Sequence, residues 1–276
     1  MSRKIPLLAL MAKQFKSLLS SPKISAASPG LLLLPIPGIP EIRQGDDLAK
    51  RVTGAARRAA IRFEDGDVLV IAQKIVSKAE GALVRLASVK PSPQALAIAA
   101  RLEKDPRAVQ VVLNESRRIV RSDQVLITET HHGFVCANAG VDHSNVPGND
   151  VVSLLPRNPD RSAKKLAAAF RKQTGKGVAV IISDTFGRPW RLGLTNVAIG
   201  AAGVPVLLDL RGTRDRHGKV LTATIVAVAD ELAAAAGLLM EKSKGSPVVL
   251  IRGYRYQPRF EPASRIIRPA AEDLFR

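Results

Sequence analysis

The feature that most restricts this chain is the run from Val68 to Ala72 (VLVIA), apolar at every position and preceded by the turn-forming EDGD. A strand with one wet face alternates apolar and polar residues, so an unbroken run requires protein on both faces. Further strands are expected at VAVIISD, VPVLLDL and SPVVLIRG, and a hairpin around His131-His132-Gly133. Helices are expected between them. One follows Asp46 and Asp47, whose charges suit a helix N-terminus, with Leu48, Val52, Ala55 and Ala56 at helical spacing. Others are SPQALAIAARLEKD, capped by Ser92, then DRSAKKLAAAFRKQTGKG with a glycine exit, and ADELAAAAGLLMEK. Hydrophobic residues make up 46% of the chain and aromatics 4%, so the interior must be packed from Ala, Val, Leu and Ile. Strands covered by Ala/Leu-rich helices, a mixed α and β architecture, fit that composition, and 276 residues suffice for one large domain or two modest ones.

Forty-two Lys and Arg against 24 Asp and Glu give a formal charge of +18, which favours phosphorylated or acidic ligands. A basic nucleic-acid-associated protein is an alternative, but neither aromatic platforms between the cations nor a duplex-reading module is visible. No specific nucleic acid is therefore expected. The single cysteine, Cys136 in GFVCANAG, excludes an intrachain disulfide and a cysteine metal cage; it fits a small buried strand residue and a cytoplasmic, reducing setting. Residues 1–30 carry five Lys or Arg and no acid, and fit either a targeting or membrane-surface peptide or a disordered extension. No apolar run is long enough for a transmembrane segment. The ending QPRFEPASRIIRPAAEDLFR has little period and is expected to form a surface arm.

Two stretches gather polar residues beyond apolar runs, where sheet proteins commonly bind ligands. One is VCANAGVDHSNVPGND, with Asp142, His143, Ser144 and Asn145; the other is SDTFGRPWRLGLTNVAIGAAG, with Ser183, Asp184 and Thr185. Aspartates from separate loops suit Mg²⁺ or Mn²⁺, which take a few carboxylates and complete their shells with water and phosphate oxygens. Each aspartate equally fits a turn or cap, the usual use of Asp in such contexts. His131, His132 and His143 lack partners at metal spacing, which argues against zinc. No G-x-S-x-G elbow and no P-loop occurs, so a phosphate site must be built otherwise. PIPGIPEI, with Gly38 between prolines, exposes backbone amides; Lys78, Arg188 and Arg191 are candidate phosphate cations, and Trp190 a candidate wall for a flat ring. Each cation taken singly also fits a solvated surface charge.

Together IAQKIVSKAEG, ANAGVDHSNVPG, SDTFGRPWRLGLTNVAIGAAG and ADELAAAAGLLMEK, in this order from about Leu34 to Gly253, resemble the coenzyme F-420 gamma-glutamyl ligase family. The resemblance implies an α+β, two-part fold of mixed sheets and helices, with a central segment inserted between the N- and C-terminal parts of the first domain. The division expected on it is an extension at 1–30, a discontinuous first domain of 31–115 with 216–276, and a second domain, 116–215, carrying the metal-site loops. It implies a homodimeric ligase that uses GTP as co-substrate and two divalent ions, Mg²⁺ or Mn²⁺, with K⁺ a further candidate. Its reaction adds L-glutamate to coenzyme F-420-0 through an acyl phosphate. A related nucleotide-dependent ligase acting on another carboxylate is the nearest alternative. Carried onto this chain, the resemblance makes Asp142 and Asp184 catalytic metal ligands, with Thr185 and Glu241 as further ligands. Pro37, Gly38, Ile39, Pro40, Gln73, Lys78 and Asn145 become GTP contacts. Arg188, Arg191 and Asn196 become substrate or phosphate contacts. The MEKSKGSPVV segment departs from the family's glycine- and glutamine-containing turn, and the chain ends without the second, flavin-binding domain of some relatives.

Overall fold

The computed structural model describes residues 30–146, 148–240 and 246–273. Strand β1 (Leu32–Pro35) leads through the proline turn to helix α1 (Leu48–Arg58), whose Asp47 caps the N-terminus by accepting a bond from the Lys50 amide at 2.9 Å. Strand β2 (Val68–Ala72) passes without a loop into helix α2 (Gln73–Glu80), which Gly81 ends at φ +73°. Next come β3 (Leu83–Arg85), α3 (Pro93–Leu102) capped by Ser92, and α4 (Pro106–Asn114) capped by Asp105. They are followed by β4 (Ser116–Arg121), β5 (Ile127–Thr130), β6 (Val135–Ala137) and β7 (Val151–Ser153). Helix α5 (Pro159–Thr174) precedes the long antiparallel pair β8 (Ala179–Arg188) and β9 (Arg191–Ala202). A two-stranded ribbon, β10 (Leu208–Asp209) with β11 (Ile225–Val226), then helix α6 (Val228–Gly237) and β12 (Val248–Arg252) complete the main elements.

The central sheet runs β1-β12-β2-β8-β9, with β2 and β8 parallel and the other neighbours antiparallel. Its strands are covered on both faces, as the unbroken apolar runs require. Leu69, Ile71, Val180, Ile182 and Leu250 face a core shared with Val52 of α1 and Phe170 of α5. Val68, Val70, Ile181, Val249 and Ile251 face the opposite core, with Leu232 and Ala233 of α6. The period-two alternation of strand side chains sorts consecutive apolar residues between the two cores. A third core joins Ala95 and Ile98 of α3, Val109 and Val112 of α4, and Leu126, Ala139 and Val152. Two smaller sheets, β4-β5-β6 and β3-β7, flank it. These are the mixed sheets and helices of an α+β fold.

Two sequence expectations change in detail. SDTFGRPWRLGLTNVAIGAAG is not a loop: β8 continues through Asp184 to Arg188 and returns as β9, pairing Asp184 with Val197 and Thr185 with Asn196. VPVLLDL contributes only the two-residue strand β10. Among the described residues no helix is long and apolar enough to cross a membrane.

Candidate active site

The parallel pair at the sheet's centre fixes the site. Ala72, the last residue of β2, is the register partner of Ser183 in β8. The next residues are therefore Gln73, which opens α2, and Asp184, and the two side chains interact. The carboxyl ends of adjacent parallel strands are where open α/β sheets hold ligands. Here they form the floor of a cleft of about 700 Å³.

The other wall is the stretch from 136 to 146. Asn138, Ala139 and Gly140 all have positive φ (53°, 51° and 72°), a left-handed run that bends the chain between β6 and Asp142. Small residues are needed there. Ala139 is buried in the third core, and a Cβ on Gly140 would lie 2.7 Å from the Leu155 side chain. The bend is held by the Asn138 amide bonding to Leu126 O at 2.7 Å and by Lys104 Nζ donating to Asn138 Oδ1 at 2.8 Å. Asp142 then pairs with Ser153 of β7 through two backbone bonds, which aims its carboxylate across the cleft.

The two carboxylates have opposite electrostatic settings. Burial alone would raise Asp142, but hydrogen bonds from Lys74 and from the Ser144 hydroxyl and amide outweigh it and hold the group below the usual carboxylate range. Ser144 N and Oγ donate to its Oδ1 and Oδ2 at 2.8 and 2.7 Å, and Lys74 Nζ pairs with Oδ2. Asp184 is partly open to the cleft yet densely surrounded by protein, and burial pushes it up to about 6. The Thr185 amide, the charge of Lys74 and the Gln73 side chain act against that rise, and the negative charge of Asp142 adds to it. The two aspartates thus sense each other and the same ammonium. Lys78, one helical turn from Lys74, is buried and pairs with Glu41 Oε1 at 2.5 Å.

Of the residues singled out in the sequence, Asp142, Asp184, Thr185, Ile39, Pro40, Gln73, Lys78, Asn145 and Asn196 all line this cleft. Pro37 and Gly38 adjoin it in the turn after β1; Gly38 has φ +70° and its carbonyl accepts a 3.0 Å bond from Arg58. Arg188 lies further out on the β8–β9 hairpin, exposed and bonded to Leu192 O at 3.0 Å, and does not line the cleft. Trp190 is at the hairpin turn, 82% exposed, and does not line the cleft. Glu241 lies outside the described residues. Cys136 is buried in β6, and burial pushes its thiol up to about 12, which removes it as a nucleophile. His131 and His132 bond to the Asn114 and Pro156 carbonyls. The residue that sequence reasoning missed is Lys74; the signal was its place four before Lys78, on the same face of α2.

The donor set suits a hard divalent cation. It offers two carboxylates and the Thr185 hydroxyl, and a lysine ammonium already stands as a cation against them. Among the described residues no group of three or more His, Cys, Asp or Glu comes together, so oxygens from water or a phosphate would have to complete a metal's shell.

With this geometry in view, the family model for F420-0:Gamma-glutamyl ligase matches residues 38–253. The chain belongs to that family. It is 49% identical over 254 residues to the coenzyme F420:L-glutamate ligase of Methanopyrus kandleri, covering 90% of this chain and 98% of the relative. The enzyme of the same name from Methanothermobacter thermautotrophicus is 46% identical over 254 residues, covering 90% of this chain and 99% of the relative. That from Archaeoglobus fulgidus is 42% identical over 245 residues, covering 88% and 96%.

Proposed function

We propose that this protein is a coenzyme F420-0:L-glutamate ligase that consumes GTP and uses divalent cations in the cleft between Asp142 and Asp184. The relatives' names support the reaction, and one observation supports the chemistry: carboxylates from two different layers of the fold share a cleft with two lysines, Lys74 and Lys78. Joining a carboxylate to an amine in water is uphill, so the acid needs activation. In the reading offered here, a carboxylate oxygen of the acceptor bonds to the GTP γ-phosphorus as the bond to the β–γ bridging oxygen breaks, releasing GDP and leaving an acyl phosphate. The glutamate amine then forms the C–N bond, loses a proton, and phosphate departs as the C–O bond breaks. Divalent cations on Asp142, Asp184 and Thr185 would supply the positive charge that lets two anions meet.

The chain's own residues do the rest. Lys78 sits at the cleft wall as a point charge for a phosphate. Gln73 holds the Asp184 carboxylate in place. The turn around Gly38 offers backbone amides to an anion. Ile39, Phe186, Leu194 and Met240 give the cleft apolar wall that would shield an acyl phosphate from water. The expected homodimer has a candidate face at the hairpin tip, where Leu192 is 99% exposed beside Trp190.

The test is to incubate the purified protein with GTP, Mn²⁺, L-glutamate and coenzyme F420-0 whose terminal carboxylate carries ¹⁸O. The expected result is a product heavier by a glutamyl residue and inorganic phosphate that has acquired ¹⁸O. Product formed with unlabelled phosphate would exclude the acyl phosphate. Phosphate release with a different carboxylate and none with coenzyme F420-0 would assign the chain to a related ligase, and equal turnover with ATP would remove the preference for guanine.

A further inference from the structure

Lys74 raises a question that a phosphate-binding lysine does not. Its Nζ donates to Asp142 Oδ2, to the Ser144 carbonyl at 2.6 Å and to Ser144 Oγ at 3.1 Å, so all three of its protons have acceptors. The side chain is only 15% exposed. The Ser144 hydroxyl completes the lock by donating in turn to Asp142 Oδ2. A divalent cation approaching that oxygen therefore meets an ammonium already seated there. Two cations side by side on one carboxylate oxygen repel each other, so a metal ion there weakens the hold on Lys74. Lys74 has somewhere to go: it sits in the first turn of α2, one turn from Lys78, on a flexible four-carbon stem at the lip of the same cleft.

We propose that Lys74 couples metal to nucleotide: it pairs with Asp142 and moves onto the nucleotide phosphates when a divalent cation takes Asp142. This rests on the reading of the cleft as a metal and nucleotide site. Nucleotide phosphates draw Lys74 off Asp142 and so open the carboxylate to metal. Metal on Asp142 expels Lys74 and so frees it for phosphate. By linkage each ligand tightens the other by the same factor. The ammonium also offsets the repulsion between Asp142 and Asp184.

The coupling makes a prediction of opposite signs. In Lys74→Met, Mn²⁺ without nucleotide, followed by electron paramagnetic resonance of the free ion, binds at least about fivefold tighter than in wild type, because its competitor is gone. A fluorescent GTP analogue without metal, in EDTA, binds at least about fivefold weaker, because a phosphate partner is gone. Lys74→Arg, which keeps a cation on Asp142, stays within about twofold of wild type for Mn²⁺. Mn²⁺ affinity unchanged or reduced in Lys74→Met overturns the coupling, since a purely structural lysine would weaken both ligands. Should circular dichroism find Lys74→Met unfolded, the wild type decides: acetylation of Lys74, read by peptide mass, speeds up when Mn²⁺ is added alone. An unchanged rate overturns the proposal. Asp184→Asn separates the two levels of the argument. Mn²⁺ that binds this variant as well as wild type, or that binds neither wild type nor Lys74→Met, overturns the reading of the cleft. Mn²⁺ lost in Asp184→Asn but indifferent to Lys74→Met overturns the coupling alone.

Discussion

Asp184 is costly to ionise. Its carboxyl is pushed from 3.8 to about 6, chiefly by burial, so the folded state binds its proton more tightly than the unfolded chain does. The stability that comes with protonation is fully present below pH 3.8 and is lost as pH rises through about 6. Above that the native state holds an ionised, poorly solvated carboxylate, at a cost of up to about 3 kcal/mol for a shift of this size. In EDTA, Asp184→Asn should therefore melt higher than wild type at pH 8, and the gap should close as pH falls toward 4. Thermal melts across that range check it; a variant less stable than wild type at pH 8 contradicts the burial argument. Asp142, held low by Lys74 and Ser144, gives no such gain in the same window.

At the scale of elements, one contact ties strands at the end of the central sheet away from the cleft, and another shapes the cleft's wall. Asp67, 1% exposed ahead of β2, accepts from Arg252 Nε and Nη2 at 2.8 and 2.7 Å, tying β2 to the end of β12. Arg252→Met strands that carboxylate and should cost about 3 kcal/mol or more, of which the double variant with Asp67→Asn recovers part. Chemical denaturation measures both; equal stability of wild type and Arg252→Met would refute the role of the pair. The second contact is the bend at Gly140. Gly140→Ala adds a Cβ 2.7 Å from Leu155 at a φ of +72°, and should cost about 2 kcal/mol in stability and lower turnover by moving Asp142. A variant with wild-type melting and turnover would mean the bend is not needed. These elements were unequally legible. The unbroken VLVIA run defines β2 to the residue, and Asp47 and Ser92 mark their helix starts, because those signals are local. The β8–β9 hairpin was not legible past Asp184: Thr, Gly, Arg and Pro there read as loop, and its order comes from pairing with β9. Helix α4 carries a local start signal, Asp105 before Pro106, and has Val109 and Val112 at helical spacing, signals that the reading of the sequence did not use. Strand β4, SRRIVR, lacks a clean alternation. The aspartates were visible as candidates, but turn and cap roles competed with them. Only the parallel register of Ala72 with Ser183, and the bridge of Asp142 to Ser153, bring them to one cleft.

For the molecule as a whole, the chain carries a formal charge of +18, and the proposed reactants are all anions. Such a field raises association rates and is screened by salt, with a Debye length of about 10 Å at 0.1 M. The value of kcat/KM for GTP should fall by roughly tenfold between low and moderate ionic strength while kcat changes little. Steady-state kinetics in a salt series tests this, and a kcat/KM independent of salt would leave the charge without a part in substrate capture. The most direct test of the whole account is the rate of glutamyl addition to coenzyme F420-0 by Asp142→Asn and Asp184→Asn, each checked to be folded and assayed with saturating GTP and Mn²⁺. The account predicts that each falls by about two orders of magnitude or more. Near-normal turnover in either variant would contradict it.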